Sequence, residues 1–187
     1  MGLLRNTATR RLWRRLALLL IAGGLLGAAA APVSEYQLKA VFLFNFAQFV
    51  EWPPAALPRE NAPFVIGVLG KDPFGADLDD VVRAETVNGH PLAVARYHDV
   101  AEVRDCQILF IAASELRQLE GILAALRGRG ILTVTDADGS AVRGVMIGLV
   151  RQDNRIRLRI DLQATKASNL TISSKLLRPA EIVGPGS

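Results

Sequence analysis

The sequence predicts an α/β fold, in which a mostly parallel sheet with one antiparallel edge strand is flanked by helices on both faces. Short β-branched runs alternate with helical segments between Phe64 and Asp136, a pattern typical of a parallel sheet that is covered on both sides. Two further strand-like runs flank the residues Gln-Asp-Asn at 152–154, which indicates a β-hairpin and hence the antiparallel strand. Residues 32–187 are numerous enough to form a single domain around one core.

The first 31 residues are predicted to be a signal peptide that is removed during export. Five arginines and no acidic residue precede a leucine- and alanine-rich run at 16–26, and the small residues Gly-Ala-Ala-Ala-Ala-Pro follow at 27–32. The apolar run is shorter than the ~20 residues that span a bilayer comfortably. We therefore expect cleavage near Ala31. An uncleaved anchor is the alternative, and the general and twin-arginine export routes both stay open.

The charge balance changes when the predicted signal is removed. The whole chain has 22 Lys and Arg against 18 Asp and Glu, and its pI is about 9.7. Because all five leading arginines leave with the signal, the mature chain has a formal net charge of −1. The basic pI therefore gives no support to nucleic-acid binding. Cys106 is the single cysteine of the sequence, so no internal disulfide is available and the core has to supply the stability.

The first element of the mature chain is predicted to be a helix that begins after Ser34, a suitable N-cap, and stops at Pro53-Pro54. Its apolar side chains form a wide face: Leu38, Phe42, Phe46 and Phe49 in one stripe, with Tyr36, Leu43, Ala47 and Val50 beside it. We expect Phe42, Phe46 and Phe49 to be core residues. Val41, Phe44 and Trp52 fall among the polar side chains of the opposite side, which makes them the candidate partner-binding residues.

The remaining elements follow in order along the chain. Strands are predicted at 64–70, 91–97, 106–112 and 131–136, and helices at 75–85 and, with Ser114 as N-cap, at 115–128. A turn is predicted at 88–90, and the hairpin joins runs at 145–151 and 155–161. The last element is predicted to be a helix over 162–180, whose buried positions would be Leu162, Leu170, Leu176 and Leu177.

The sequence contains no recognisable catalytic, cofactor-binding or metal-binding pattern. His90 and His98, the only histidines, have no cysteine or carboxylate at the spacing of metal ligands, so ordinary surface positions are expected. The glycines at 67–75 lack the spacing of a P-loop or a dinucleotide-binding turn, and the Asp-Ala-Asp-Gly run at 136–139 lacks the rest of a calcium loop. We therefore expect a protein that is not an enzyme and has no cofactor.

Three arginines alternate with apolar residues in the second strand of the predicted hairpin. Arg155, Arg157 and Arg159 would share one face of that strand, because successive side chains of a strand point to opposite faces. An anion or a lipid headgroup could dock on such a face, although a solvated strand face is the usual interpretation.

Four blocks of this sequence resemble the successive signatures of the YfiR family: "EYQLKAVFLFNFAQFVEWP" from Glu35, "GVLGKDPFG" from Gly67, "CQILFIA" from Cys106 and "LTISSKLLRPAEI" from Leu170. The blocks reach Ile182, and "SSKLLR" is the most specific of their motifs. The resemblance implies a periplasmic α/β protein, often a homodimer, without enzymatic activity. It also implies a regulator that binds the periplasmic part of an inner-membrane diguanylate cyclase of the YfiN type, holds it inactive and so lowers cyclic di-GMP signalling.

The resemblance implies a second partner, an outer-membrane lipoprotein of the OmpA-like YfiB type that sequesters the regulator and releases the cyclase. Members of the family can use disulfides as redox-sensitive supports, but Cys106 has no partner in this sequence, which argues against that control. The alternative function is a periplasmic small-ligand-binding protein. Its ligand would lie at the carboxyl ends of the strands, where the loops fall at 70–75, after Tyr97, at 112–115 and at 136–140.

Overall fold

An eight-stranded mixed β-sheet organises the protein in its computed structural model, which describes residues 33–137 and 143–184. The predicted signal peptide and the cleavage site near Ala31 lie outside the described residues, as does the end of the 136–140 loop, so these stay predictions. No helix in the described part of the chain is long and apolar enough to cross a membrane.

The helices and strands alternate along most of the chain. The helices are α1 (Glu35–Phe49), α2 (Ala76–Val82), α3 (Leu119–Leu126), α4 (Leu162–Ala167) and α5 (Ser174–Leu177). The strands are β1 (Val50–Glu51), β2 (Phe64–Leu69), β3 (Thr86–Val87), β4 (His90–Tyr97), β5 (Ile108–Ile111), β6 (Leu132–Thr135), β7 (Ile147–Gln152), β8 (Arg155–Asp161), β9 (Thr171–Ile172) and β10 (Glu181–Val183). Short 3-10 turns at Pro54–Ala56, Val100–Glu102 and Ala113–Gln118 complete the described elements.

The strand order of the main sheet is β10-β8-β7-β6-β5-β2-β4-β3, and β1 pairs with β9 in a separate two-stranded ribbon. Parallel pairing joins β4, β2, β5, β6 and β7, while β7–β8 and β3–β4 are antiparallel hairpins. The predicted α/β fold with a mostly parallel sheet is therefore confirmed. One detail differs, because β8 is not at the edge: β10 pairs with it in parallel on its outer side.

Two apolar layers cover the two faces of this sheet. Ile108 and Phe110 of β5 point into the first layer, which contains α1 and α2. Leu109 and Ile111 point into the second, which contains the buried leucines and isoleucine of α3. This alternation follows from the two-residue period of a strand, and it explains why the buried run at 108–111 carries no polar residue.

The turns follow the chemistry of their residues. Asp153 and Asn154, between β7 and β8, have φ of 49° and 60°, as a two-residue hairpin turn requires. Asn88 and Gly89 also have positive φ, 50° and 83°, in the turn before β4 that the sequence predicted. Ser114, in contrast, does not cap α3, which starts five residues later; its hydroxyl accepts a hydrogen bond from the backbone N–H of Lys71 at 3.0 Å.

The predicted closing helix over 162–180 is wrong. The chain instead forms α4, β9 and α5, because Asn169 takes a left-handed conformation (φ 56°) that ends α4. Thr171 and Ile172 then pair with β1, and Ser173 caps α5 by accepting from the backbone N–H of Lys175. Of the four leucines expected to be buried, Leu170 and Leu176 are buried, while Leu162 and Leu177 are partly buried against the first layer.

Candidate partner-binding surface

Helix α1 carries the candidate site, and its first turn is fixed by a capping box. The Ser34 hydroxyl accepts from the backbone N–H of Gln37 at 3.0 Å, and the Gln37 side chain accepts from the backbone N–H of Ser34 at 2.9 Å. These two bonds satisfy donors that every helix start leaves open. The helix therefore begins at the residue that the sequence predicted.

A buried charge cluster holds the same turn against the sheet. Lys39 is only 3% exposed, and its Nζ lies 2.6 Å from a Glu35 carboxylate oxygen and 2.7 Å from Oδ2 of Asp136, just after β6. The Tyr36 hydroxyl donates to the same Asp136 oxygen at 3.0 Å, and the ammonium group lies 4.5 Å from the centre of the Tyr36 ring. Arg151 of β7 extends the cluster by an ion pair with Glu35 at 2.9 Å.

The pKa values in this cluster reflect the pairing. Burial alone would lower the pKa of Lys39, but its hydrogen bonds with Asp136 and Glu35 outweigh burial and raise that pKa above its usual value. The hydrogen bond from Lys39 lowers the pKa of Glu35. Lys39 and Glu35 are thus both charged near neutral pH. The spacing of Glu35 and Lys39 signals a helical pair in the sequence, whereas Asp136 lies 97 residues away and has no such signal.

The buried face of α1 coincides only in part with the predicted wide face. Phe46 is fully buried, as expected, together with Leu43 and Ala47. Phe42 and Phe49 are only partly buried, so their prediction as full core residues is wrong. The helix is apolar nearly all round, and the pattern therefore left its rotation undetermined by about one residue step, ~100°.

The outer face of α1 consists of Leu38, Val41, Phe42, Phe44 and Phe49. Leu38 and Val41 are 41% and 40% exposed, and the three phenylalanines are partly buried. An apolar helix face of this kind is unusual at the surface of a monomer. Two of the three candidate residues, Val41 and Phe44, therefore lie at the solvent boundary.

Trp52, the third candidate, lies inside the protein. It is 8% exposed, its ring packs edge-on against Phe64 at 5.0 Å, and its indole N–H donates to the backbone carbonyl of Gln107 at 3.1 Å. The expectation that it shares the outer side of α1 is wrong, because α1 ends at Phe49 and the helical spacing no longer applies beyond it.

The two long borders of the outer face differ in charge. On one side lies α2, where Asp77 accepts from the Gln37 side chain at 3.2 Å. On the other side the Lys175 ammonium lies 5.2 Å from the centre of the Phe49 ring, and the backbone N–H of Ser173 donates to the Phe49 carbonyl. The face is thus an apolar strip between an acidic border and a basic one, on a helix fixed at both ends.

One of the carboxyl-end loops that would hold a small ligand, at 70–75, is held by side chains of the protein itself. Asp72 accepts from the backbone N–H of Phe74 at 2.7 Å and from Arg96 at 2.7 Å. Arg96 also pairs with Asp79 and donates to the carbonyl of Gly75 at 2.8 Å. Both carboxylates and the guanidinium group therefore hold the 70–75 loop itself.

A cleft of about 500 Å³ lies elsewhere, between α3 and α4. Its lining includes Glu120 and Leu123 of α3 with Arg127 just after that helix, and Ala167 of α4 with Ser168 just after that helix. Its position at the start of β6 differs from the carboxyl-end loops that the sequence predicted, and its lining combines residues of α3 and α4 that are far apart in the sequence.

The structure shows where the two histidines and the cysteine lie and what they contact. Nδ1 of His90 lies 2.9 Å from the carbonyl oxygen of Ala62, and His98 is exposed. Within residues 33–137 and 143–184, no group of three or more metal-ligating side chains could hold a metal ion. Cys106 is buried in the second layer, as its position in a buried run predicted, and burial raises its pKa to about 12. Its thiol therefore stays protonated near neutral pH.

The comparison with protein families gives one match. A family model described as YfiR/HmsC-like matches residues 36–181. The matched range includes α1 from its second residue, the sheet up to the first residue of β10, and all but the first and last residue of the quoted blocks. Among curated proteins, none matches the chain at a significant level.

Proposed function

The chain belongs to the YfiR/HmsC-like family, and from this premise we propose that it is a periplasmic regulator that binds the periplasmic part of an inner-membrane diguanylate cyclase of the YfiN type. Binding would hold the cyclase inactive and lower cyclic di-GMP. The observation that carries this proposal is the apolar outer face of α1, where Leu38 and Val41 are exposed beside partly buried phenylalanines.

The anchoring of α1 supports this surface as a docking site. A partner that binds a pre-ordered helix does not have to order it, and less of the binding energy is lost. The capping box at Ser34 and the Lys39 cluster fix α1 before any partner arrives. Aromatic side chains are enriched at interface centres, and Phe42, Phe44 and Phe49 supply them here.

Further parts of the proposal rest on family membership. We propose export to the periplasm with cleavage near Ala31, a homodimer, and release of the cyclase by an outer-membrane lipoprotein of the OmpA-like YfiB type. The proposed activity is binding, and it assigns no catalytic residue, cofactor or nucleic acid to the protein.

The test compares an outer-face variant with a matched variant elsewhere. Val41→Asp places a charge in the proposed interface and should abolish co-purification with the periplasmic part of the cyclase, because an unpaired buried charge is costly. Leu57→Asp makes the same type of change at another exposed apolar residue, 37% exposed, and should leave binding intact. Both variants should keep the Tm of the wild type.

The cellular readout uses a strain that carries the cognate cyclase. Phe44→Ala should raise cyclic di-GMP with little change in Tm, since Phe44 is only partly buried, whereas Phe46→Ala should lower the Tm and the protein level. Full repression by folded Val41→Asp and Phe44→Ala proteins would place the partner surface elsewhere.

A periplasmic small-ligand-binding protein is the second candidate, and the α3–α4 cleft is the observation that favours it. Its volume of about 500 Å³ lies within the ~300–1,000 Å³ of ordinary ligand sites. A metabolite that raises the Tm strongly, with the rise lost in Leu123→Trp, would support this function.

A further inference from the structure

Charge is distributed unevenly along the described chain. Residues 143–184 contain eight Lys and Arg against three Asp and Glu, whereas residues 33–137 contain nine against fourteen. The sheet order converts this bias in sequence into one in space, because β7, β8 and β10 all lie at the same edge of the sheet. One edge of the molecule is therefore basic, although the mature chain as a whole is nearly neutral.

The basic edge includes an ordered row of arginines on β8. Leu158 and Ile160 point into the first apolar layer, so Arg155, Arg157 and Arg159 point to the opposite face of the sheet. Residues two apart on a strand are ~7 Å apart, which sets the spacing of the row. We call these three residues the β8 basic face.

Two of the three arginines lie opposite small or apolar residues of β7. Gly148 of β7 lies directly opposite Arg159, and Val150 lies opposite Arg157. Neither of these two neighbours carries a polar side chain; Gln152, opposite Arg155, does, but the two side chains form no hydrogen bond. Arg155 and Arg157 are exposed to solvent, and none of the three arginines lines the α3–α4 cleft.

Two of the three arginines are not used by the fold. Arg159 is held by Glu181 of β10 at 3.0 Å, whereas Arg155 and Arg157 are exposed and form no ion pair with a residue in the described ranges. Their charges are available to a partner, and the part of β8 that carries them is held in the sheet by its pairing with β7. Removal of these two charges should therefore not destabilise the fold.

From this arrangement we propose that the β8 basic face docks the protein on the surface of an anionic phospholipid bilayer. An extended row of guanidinium groups along one strand, with ~7 Å spacing, suits a plane of many phosphates better than one small anion, which would need converging donors. Each such cation contributes about 1 kcal/mol of attraction to an anionic bilayer.

The choice of a bilayer over an acidic protein rests on the proposed function, which places the regulator next to the inner membrane. The geometry agrees with that location, because α1 packs on the opposite face of the sheet from the β8 basic face. Docking through the arginines would leave the outer face of α1 accessible to the cyclase. The vesicle experiment below contains no cyclase, so its failure and the failure of repression are separate results.

The test is co-sedimentation of the exported protein with lipid vesicles. We expect binding to vesicles of phosphatidylcholine and phosphatidylglycerol in equal parts, and none to phosphatidylcholine alone. Binding should disappear near 1 M salt, where the Debye length is about 3 Å. Arg155→Gln/Arg157→Gln should lower the partition coefficient about 30-fold, which corresponds to the loss of two cations at about 1 kcal/mol each.

The matched control is Arg59→Gln/Arg104→Gln, which removes the same charge from two exposed arginines that precede β2 and β5. It should bind vesicles within about twofold of the wild type, since the attraction falls off within a Debye length. Equal losses of vesicle binding in the two double variants would overturn the proposal, because the net charge alone would then explain the binding. Absence of binding to the anionic vesicles would also overturn it and leave an acidic protein as the partner of this face.

Discussion

Lys39 joins the first turn of α1 to the end of β6 through the carboxylates of Glu35 and Asp136, and its ammonium group is buried. Lys39→Met should lower the free energy of unfolding by about 3–5 kcal/mol, because removal of one partner leaves Asp136 and Glu35 without the buried cation. Urea unfolding measures the loss, and Lys166→Met, at an exposed position of α4, should change little.

A double variant separates pairing from packing at this position. Lys39→Met/Asp136→Asn removes both charges, so it should be less destabilised than the sum of the two single variants. Simple additivity of the single losses would show that the methylene stem of Lys39, rather than its charge, holds α1.

The same cluster makes stability depend on pH. The pKa of Glu35 is below its ordinary 4.5, mainly through the hydrogen bond from Lys39, and Arg96 lowers the pKa of Asp79 in the same way. The unfolded chain therefore binds more protons below pH 4.5, and the free energy of unfolding should fall as the pH falls through the folded pKa values.

At alkaline pH, Lys39 makes the free energy of unfolding fall as the pH rises, which is the opposite of the acid dependence. Its pKa is raised above 10.5, so its contribution to stability is complete below pH 10.5 and is lost as the pH rises through the folded value.

The acid effect of Glu35 can be measured by unfolding from pH 3 to pH 7. The free energy of unfolding should depend less steeply on pH in Glu35→Gln than in Glu120→Gln, which changes an exposed carboxylate on α3. Identical slopes would exclude Glu35 as a source of the pH dependence.

At the scale of elements, local signals in the sequence were sufficient where the structure is local. Ser34 as an N-cap and the turn at Asp153-Asn154 depend on residues within four positions of each other, and both were predicted. The rotation of α1 and the burial of Trp52 depend on contacts with β2 and β5, which the helical pattern does not contain. Pairing of β9 with β1 joins residues over 100 apart and could not be predicted either.

Asn169 decides whether the closing segment is one helix or two. Its φ of 56° costs most side chains about 1–2 kcal/mol, but Asn and Gly adopt it readily. Asn169→Val should lower the free energy of unfolding by at least this amount, whereas Asn169→Gly should preserve it. Equal stability of the two variants, measured by urea unfolding, would show that the break between α4 and β9 does not depend on this residue.

At the scale of the whole molecule, the fold class followed from the sequence because a parallel sheet requires the alternation of strands and helices that the chain displays. The sheet edge was not predicted, because β10 has only three residues and directly follows a run with helical spacing. The apolar outer face of α1 and the β8 basic face lie on opposite sides of this sheet, so two partners could bind the same molecule without overlap.

Cleavage during export determines whether the whole chain or the shortened mature chain carries these two surfaces. Removal of five arginines changes the formal net charge from +4 to −1, so the mature protein should focus well below the pI of about 9.7 of the whole chain. Mass spectrometry of the periplasmic fraction should find an N-terminus within a few residues of Ala31, because the small residues that suit signal peptidase end there. Recovery of the intact Met1 form from membranes would contradict cleavage. It would then make the N-terminal run, rather than the arginines of β8, the membrane anchor.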